Sequence, residues 1–411
     1  MPRVSASAAD ASPLRSWLGI AAFYAASFAV LGVYMQFFPV WLHDERGLSP
    51  GAITVVMAAQ TIARTIAGPL WSQHVDRTQR PRRVLIQLSI ASCCAFLLFG
   101  MALGEPWLWF CAFLFGCLYP PMHPIIDTVA MKAAAKGGFA YGRLRLVGSA
   151  SFAIVNVGVG LWLAAAGHSL VFGLLLCGLA ATAGAAQLLP GTAVLPALPP
   201  QQPNARAPIG ALLRSGPFVL LLLSAALIQG SHGVYYNLST VHWKEHGIGS
   251  DVAGALWAEG VLAEIVLFFI ASRTVDRLRG TTVIMIGGAA AVVRWLVLGS
   301  SLSVPVLAAV NWLHALSFTC TFLGSLRAIE RRVPVHQHAT AQGLLGASTS
   351  GVGMVLGGLL GGYVYDKWEG RAFFLMAAFA GVGTALAWRL RRKNVYTATR
   401  QLPATTASRP E

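Results

Sequence analysis

The sequence predicts an all-α membrane protein in which twelve transmembrane helices form two six-helix bundles, with both termini on the cytoplasmic side. Three observations carry this expectation. Of 411 residues, only 30 are Lys or Arg and 15 are Asp or Glu, a charged share of 11 %. Soluble domains carry roughly 25 %, so a soluble fold of this size would lack the charge to cover its surface. The apolar residues fall in runs long enough to cross a bilayer, with a mean hydropathy of +0.63. The second half of the chain also repeats features of the first.

A spanning helix takes about 20 apolar residues. Residues 146–205 contain no Asp, Glu, Lys or Arg and break at Ala166-Gly167-His168 into two spans. Extending the same reading places spans at roughly 17–42, 50–72, 83–104, 107–131, 144–166 and 169–190, then 216–241, 251–272, 281–301, 304–326, 339–365 and 371–390. The connections left over are short, with no room for a soluble catalytic domain. Arg3, Asp10 and Arg15 precede the first span, and no small-residue cleavage site follows a short apolar stretch. The first span is therefore expected to be retained.

An even number of spans puts both termini on one side, and the basic residues say which. The two tails and every second loop carry 24 Lys or Arg, and the opposite loops carry 4. Positive charge is retained in the cytoplasm. The net charge of +15 is thus explained by topology, and no basic stripe interleaved with aromatics points to nucleic acid.

The longest connection, 191–212, is rich in Pro, Gln and Ala and divides the spans six and six. The expected units are an amino-terminal bundle over 1–190 and a carboxyl-terminal bundle with a basic tail over 213–411. Val75-Asp76-Arg77 recurs as Val275-Asp276-Arg277, and Gly32-Val33-Tyr34 as Gly233-Val234-Tyr235. Parallel six-helix repeats with a site between them near the midplane are a recurrent transporter architecture. On these features the chain resembles the major facilitator superfamily over essentially its whole length. The Asp-Arg pairs resemble that family's loop motif, with Ser72 and Gln79 standing where its usual glycines fall.

Ionisable groups at membrane depth cost at least about 2.5–3.5 kcal/mol each and are functional candidates by default. Arg64, Glu259, Arg294 and His314 lie about 12–14 residues into their spans, which is about 20 Å of helix. Glu264 lies nearer the cytoplasm. A carboxylate in a dry cavity tends to hold its proton, and a nearby arginine opposes this. An arginine that approaches and withdraws would therefore switch a glutamate, and Glu264 with Arg294 and His314 fits that role. The fork of donors on Arg64 suits a carboxylate. The bland readings are structural ion pairs between helices and, for Arg64, snorkelling to the headgroups.

Two narrower resemblances sharpen the picture. Tyr141-Gly142-Arg143-Leu144-Arg145-Leu146-Val147-Gly148 resembles the fifth-helix signature of lactose-permease-type proton symporters. Asp127, eighteen residues before Arg145, matches that family's acidic partner of the site arginine, and Arg294 and His314 match its arginine and histidine twenty apart. Phe152 replaces its sugar-stacking tryptophan and Ser317 its proton-carrying acid, so the proton carrier must sit elsewhere, again at Glu264. The chain is also similar to the 3-phenylpropionate transporter group of the same superfamily through Ala263-Glu264-Ile265, Val292-Val293-Arg294-Trp295 and Leu313-His314.

These resemblances imply a multi-pass transporter of a bacterial cytoplasmic membrane that moves a small, aromatic organic acid with protons. With the charges at membrane depth and the aromatics near the site entrance, the expected substrate contacts are Arg64, Tyr34, Phe38, Asp127, Arg145, Tyr235, Arg294 and Trp312, and the expected proton-coupling residues are Glu264, Glu259 and His314. The expected partners are the substrate, protons and the lipid bilayer, with a monomeric chain. Import of a nucleoside or oligosaccharide, efflux of hydrophobic compounds, and a non-transporting sensor stay open as alternatives.

The remaining motifs point away from other chemistry. No G-x-x-x-x-G-K-[ST] phosphate loop is present, so a proton gradient, with no cofactor and no ATP, is expected to drive transport. His242-Trp243-Lys244-Glu245-His246 matches the H-x-x-E-H zinc-peptidase pattern, but Gly247 ends the helix there and no third ligand is in view. The six cysteines fall in spans and form no C-x-x-C. Gly353, Gly357 and Gly361 recur every four residues, which permits close helix approach, within the chain or between copies. Pro120, Pro121 and Pro124 should bend the fourth span just before Asp127.

Overall fold

The computed structural model describes residues 13–101, 103–191, 209–274 and 278–392. Most of the expected connection 191–212 and the second Val-Asp-Arg tripeptide lie outside them. The described chain is helical throughout, and ten stretches are long and apolar enough to cross a membrane. The first group of helices is α1 (Pro13–Arg46), α2 (Pro50–Thr78), α3 (Pro81–Leu97), α4 (Glu105–Leu118), α5 (Met122–Gly137), α6 (Tyr141–Ala166) and α7 (Leu170–Gln187). The second group is α8 (Ile209–Arg214), α9 (Gly216–Gly230), α10 (Gly233–Glu245), α11 (Ser250–Thr274), α12 (Gly280–Leu298), α13 (Val304–Asn311), α14 (Thr321–Arg332), α15 (His338–Gly346), α16 (Met354–Trp368) and α17 (Ala372–Arg392).

All-helical structure is what a lipid solvent requires, because each helix closes its own backbone hydrogen bonds. Prolines open α1, α2 and α3, where a missing N–H costs nothing. Ser49 caps α2 by accepting from the Ala52 amide at 3.2 Å. Large apolar side chains also stand on outer faces, such as Ile154, 69 % exposed on α6, as a helix bathed in lipid allows.

Several expected spans are not continuous rods. The fourth breaks between α4 and α5 at Tyr119–Pro121, where Pro120 and Pro121 remove amide donors. The seventh breaks between α9 and α10 at Ser231 and His232. Wider π-turns interrupt the tenth at Ala315–Cys320 and the eleventh at Ala347–Gly353. Such insertions re-aim side chains and often mark functional positions.

Glycines set the helix crossings near these breaks. A Cβ added to Gly357 would lie 1.9 Å from the Gly230 carbonyl oxygen, and one on Gly353 would lie 2.5 Å from that of Ala226. The glycine stripe therefore seats α16 against α9 within one chain. Gly357→Ala is expected to cost at least about 1–3 kcal/mol. A lowered unfolding temperature for that variant, beside an unchanged one for Gly343→Ala, which meets open space, checks this.

The two groups of helices meet along α6 with α11, α2 with α16 and α1 with α10. Polar links crowd toward one end, here called the Asp44 end. Lys244 pairs with Asp44, His43 lies 3.5 Å from Glu245, and the Gly51 amide donates to Asp366 at 2.7 Å. His168 places Nδ1 3.1 Å from Asp44 and Nε2 2.8 Å from the Ser250 hydroxyl. Burial holds that imidazole below its ordinary range against the pull of Asp44, so neutral His168 donates to Asp44 and accepts from Ser250. The H-x-x-E-H residues are part of this end. His242 bonds the Tyr365 hydroxyl at 2.8 Å, which in turn donates to Glu245 at 2.8 Å, and His246 lies 3.9 Å from Glu369.

Candidate functional site

Arg294 on α12 is 0 % exposed and is the centre of the buried polar network. Its Nη1 lies 2.9 Å from His314 Nδ1, and its Nη2 donates to Asn311 Oδ1 at 2.8 Å. A guanidinium can only donate, so Nδ1 must accept and the imidazole hydrogen sits on Nε2. That Nε2 lies 2.8 Å from Glu264 Oε1 on α11. The result is a directed chain, guanidinium to imidazole to carboxylate, across three elements.

The surroundings hold Arg294 in place. Its guanidinium carbon sits 4.1 Å from the centre of the Tyr235 ring and 4.7 Å from that of Trp295, favourable cation–π geometry in a desolvated site. The Tyr235 hydroxyl donates to Asn311 Oδ1 at 3.1 Å, and Asn311 Nδ2 donates to the Leu256 carbonyl. Asn311 thus ties α10, α11, α12 and α13 together. Arg294 Nε has no hydrogen-bond partner among the described residues.

Arg64 approaches from α2. Its Nη2 donates to the Ser350 carbonyl at 2.9 Å, inside the π-turn Ala347–Gly353. It lies within electrostatic reach of Tyr236, whose ring centre is 6.1 Å from that of His314. Arg64 is therefore engaged with the second group of helices, on the side where Tyr236 meets the Arg294 chain.

Other expected site residues lie elsewhere. Glu259 lies within electrostatic reach of Tyr235 and Trp312 is 44 % exposed, but neither hydrogen-bonds to the Arg294–His314–Glu264 chain among the described residues. Asp127 does not pair with Arg145. It accepts from the hydroxyls of Tyr24 and Tyr141, while Arg145 stacks 4.4 Å over the Phe28 ring. Both phenols reach one carboxylate oxygen, Oδ1, and the cation lies over a ring face with its buried Nη1 lacking a hydrogen-bond partner among the described residues. Phe38 is buried in an aromatic core with Trp41, Phe96 and Phe99. Tyr34 stacks on it at 4.7 Å, with a buried hydroxyl that has no partner among the described residues.

Sequence reasoning missed Asn311 and His232. Neither an uncharged amide nor a histidine beside a helix break stands out when charges within spans are the signal. The residues Ser-His between Gly230 and Gly233 were the available clue.

A family profile described as the MFS_1-like family matches residues 17–376. The chain is 26 % identical over 370 residues to a protein described as a probable 3-phenylpropionic acid transporter of Escherichia coli (strain K12), covering 89 % of this chain and 94 % of that one. It is 25 % identical over 387 residues to the maltose permease of Geobacillus stearothermophilus, covering 92 % of this chain and 94 % of that one. Among solved structures, a mutant of the nucleoside transporter NupG superposes with a TM-score of 0.80 at 16 % identity, over 91 % of this chain and 99 % of that one. These relatives are membrane transporters, not enzymes. With an all-helical fold and a buried charge chain of this kind, the protein belongs to the MFS_1-like family and is a membrane transporter of the major facilitator type.

Proposed function

We propose that the protein imports a small aromatic organic acid together with protons, by alternating access, in a bacterial inner membrane. The chain of Arg294, His314 and Glu264 carries this reading. Arg294 and a proton compete for one atom, His314 Nδ1. A substrate carboxylate that draws Arg294 away frees Nδ1 to take a proton, and Glu264 then holds the imidazolium through Nε2. The empty chain carries one positive and one negative charge. The loaded chain adds a proton and a carboxylate and again sums to zero. Binding either ligand alone leaves an uncompensated charge, which is costly in a low-dielectric interior. Proton and anion therefore cross together.

In this reading twelve spans form two bundles with cytoplasmic termini, and the chain works as a monomer without cofactor or ATP. The Asp44 end is then the outer end, held shut by its polar links. Asp44→Asn removes a surface-type ion pair worth about 0.2–1 kcal/mol. It is expected to shift the population a few-fold toward the outward-open form. Spin labels at Glu45 and Lys367 should then show a longer-distance population; an unchanged distance distribution contradicts the assignment.

Arg64 supplies the second cation, in reach of the carboxylate once its bond to Ser350 opens. A charge-assisted hydrogen bond contributes about 1.5–3 kcal/mol. Arg64→Gln should therefore raise KM for the anion about ten- to hundredfold. Initial-rate uptake at graded concentrations checks this, and an unchanged KM removes Arg64 from the site.

The likeness to a maltose permease and to NupG favours a neutral sugar or nucleoside as the second reading. Uptake of labelled 3-phenylpropionate into proteoliposomes separates the two. Accumulation driven by an inward proton gradient and abolished by a protonophore supports the acid. Failure of that uptake, with gradient-driven entry of maltose or uridine instead, overturns it.

A further inference from the structure

The break between α9 and α10 sets His232, 0 % exposed, beside the Arg294 chain, and the mechanism above does not use it. Its Nδ1 lies 3.2 Å from both the Ile228 and the Gln229 carbonyl oxygens. Carbonyls only accept, so this nitrogen carries a hydrogen. Its Nε2 lies 3.1 Å from the Ser317 hydroxyl, and that hydroxyl lies 3.1 Å from the His314 carbonyl.

The Ser317 hydrogen therefore has two places to go. With His232 neutral, the hydroxyl donates to Nε2. With a proton on Nε2, the imidazolium donates to the hydroxyl, which turns its own hydrogen to the His314 carbonyl. Every hydrogen bond of His232 survives either way. His314 lacks this freedom, because a proton on its Nδ1 must displace Arg294.

Local structure creates the arrangement. The π-turn Ala315–Cys320 contains Ser317, and Gln229 donates to the Phe318 carbonyl of the same turn at 3.1 Å. The groups that face His232 are Arg294 from α12, His314 with its ring centre at 5.8 Å, Tyr236 from α10 at 5.7 Å, and Glu264 from α11 behind His314. Trp295 at 5.0 Å and Phe318 at 5.9 Å face it with apolar rings. Two imidazolium rings this close to each other and to Arg294 repel, so only one of the two histidines is charged at a time.

We infer that His232, with Ser317 as its hydrogen-bond partner, is a second proton acceptor of the coupling site and holds a proton in alternation with His314. This rests on the proton-coupled reading above. No co-reactant is needed: a proton bound at His232 Nε2 is one absent from the His314–Glu264 pair.

The test uses His232→Gln and Ser317→Ala in the full chain. Two readouts apply: the pH profile of gradient-driven 3-phenylpropionate uptake, and the titration of ¹⁵N-labelled histidines in substrate-free protein by nuclear magnetic resonance. The expected result is a uptake profile displaced by about one pH unit, a tenfold change in proton affinity. In the titration, the imidazole signal missing from His232→Gln should be one that takes up a proton in the wild-type protein, while that of His314, its Nδ1 held by Arg294, does not. Profiles and titrations identical to wild type in both variants overturn the inference, as does a loss of folded protein with an unshifted pH profile. If His232→Gln does not fold, Ser317→Ala decides alone, since it removes a single oxygen. If Glu264→Gln uncouples transport while these two variants do not, only this inference falls. If wild-type uptake ignores the gradient, the coupled reading falls, and the substrate-free titration still reports whether His232 takes a proton.

Discussion

Glu264→Gln is expected to abolish accumulation driven by a proton gradient while leaving gradient-free exchange of substrate within a few-fold of wild type. Gln keeps the shape of Glu264 and can still accept from His314 Nε2, which lies 2.8 Å from the carboxylate. It cannot compensate an imidazolium. The cost of leaving a buried charge uncompensated is about 3–5 kcal/mol; Glu264 is part-exposed, which favours the lower end. Even there, loading a proton on His314 becomes more than about a hundredfold harder. Uptake with and without an imposed gradient, beside counterflow from preloaded vesicles, measures both quantities. Equal loss of exchange and accumulation would make Glu264 a structural or substrate-binding residue, not the coupling one.

Arg294→Gln is expected to have the larger effect on both transport and stability. It removes two hydrogen bonds, to His314 and Asn311, and two ring contacts, with Tyr235 and Trp295. Hydrogen bonds to a charged group contribute about 1.5–3 kcal/mol each. Uptake and exchange should both fall by at least about a hundredfold, because in this account Arg294 holds the anion itself. Arg294→Lys should rescue little, since an ammonium has no planar fork to reach His314 and Asn311 together. The unfolding temperature should drop in Arg294→Gln and partly recover in the double variant with Glu264→Gln, where the stranded carboxylate is gone. That non-additivity is the signature of a directly coupled pair. Additive losses would show that Arg294 and Glu264 act independently.

The contrast between these residues and the others shows what a membrane sequence discloses. Arg294, His314 and Glu264 were legible because an ionisable group at depth is costly wherever it points, so its presence alone signals a partner. Which partner was less legible. Asp127 and Arg145 sit at the spacing of a known pair, yet two tyrosine hydroxyls bond the first at Oδ1 and the second lies over the Phe28 ring. The placement of Trp312 and Phe38 was less legible for another reason. A helix with lipid on one side and protein on the other is apolar all round, so periodicity does not tell the inner face from the outer. Trp312 is 44 % exposed, and Phe38 fills a core.

The helix breaks divide in the same way. The kink at Pro120 was expected from proline chemistry. The break at His232 and the π-turns around Ser317 and Ser350 lie where helices far apart in sequence approach closely, as Gly357 does Gly230. Those breaks place Arg64 on the Ser350 carbonyl and His232 on Ser317, contacts that span 286 and 85 residues of sequence.

The most direct test of the account is the proton movement that accompanies substrate entry, read with a pH-sensitive dye inside proteoliposomes at zero membrane potential. On addition of 3-phenylpropionate, the account predicts internal acidification that tracks substrate entry in wild type and is absent in Glu264→Gln despite continued exchange. Substrate entry with no acidification in wild type, or equal acidification in Glu264→Gln, would contradict the claim that Arg294, His314 and Glu264 couple the proton to the anion.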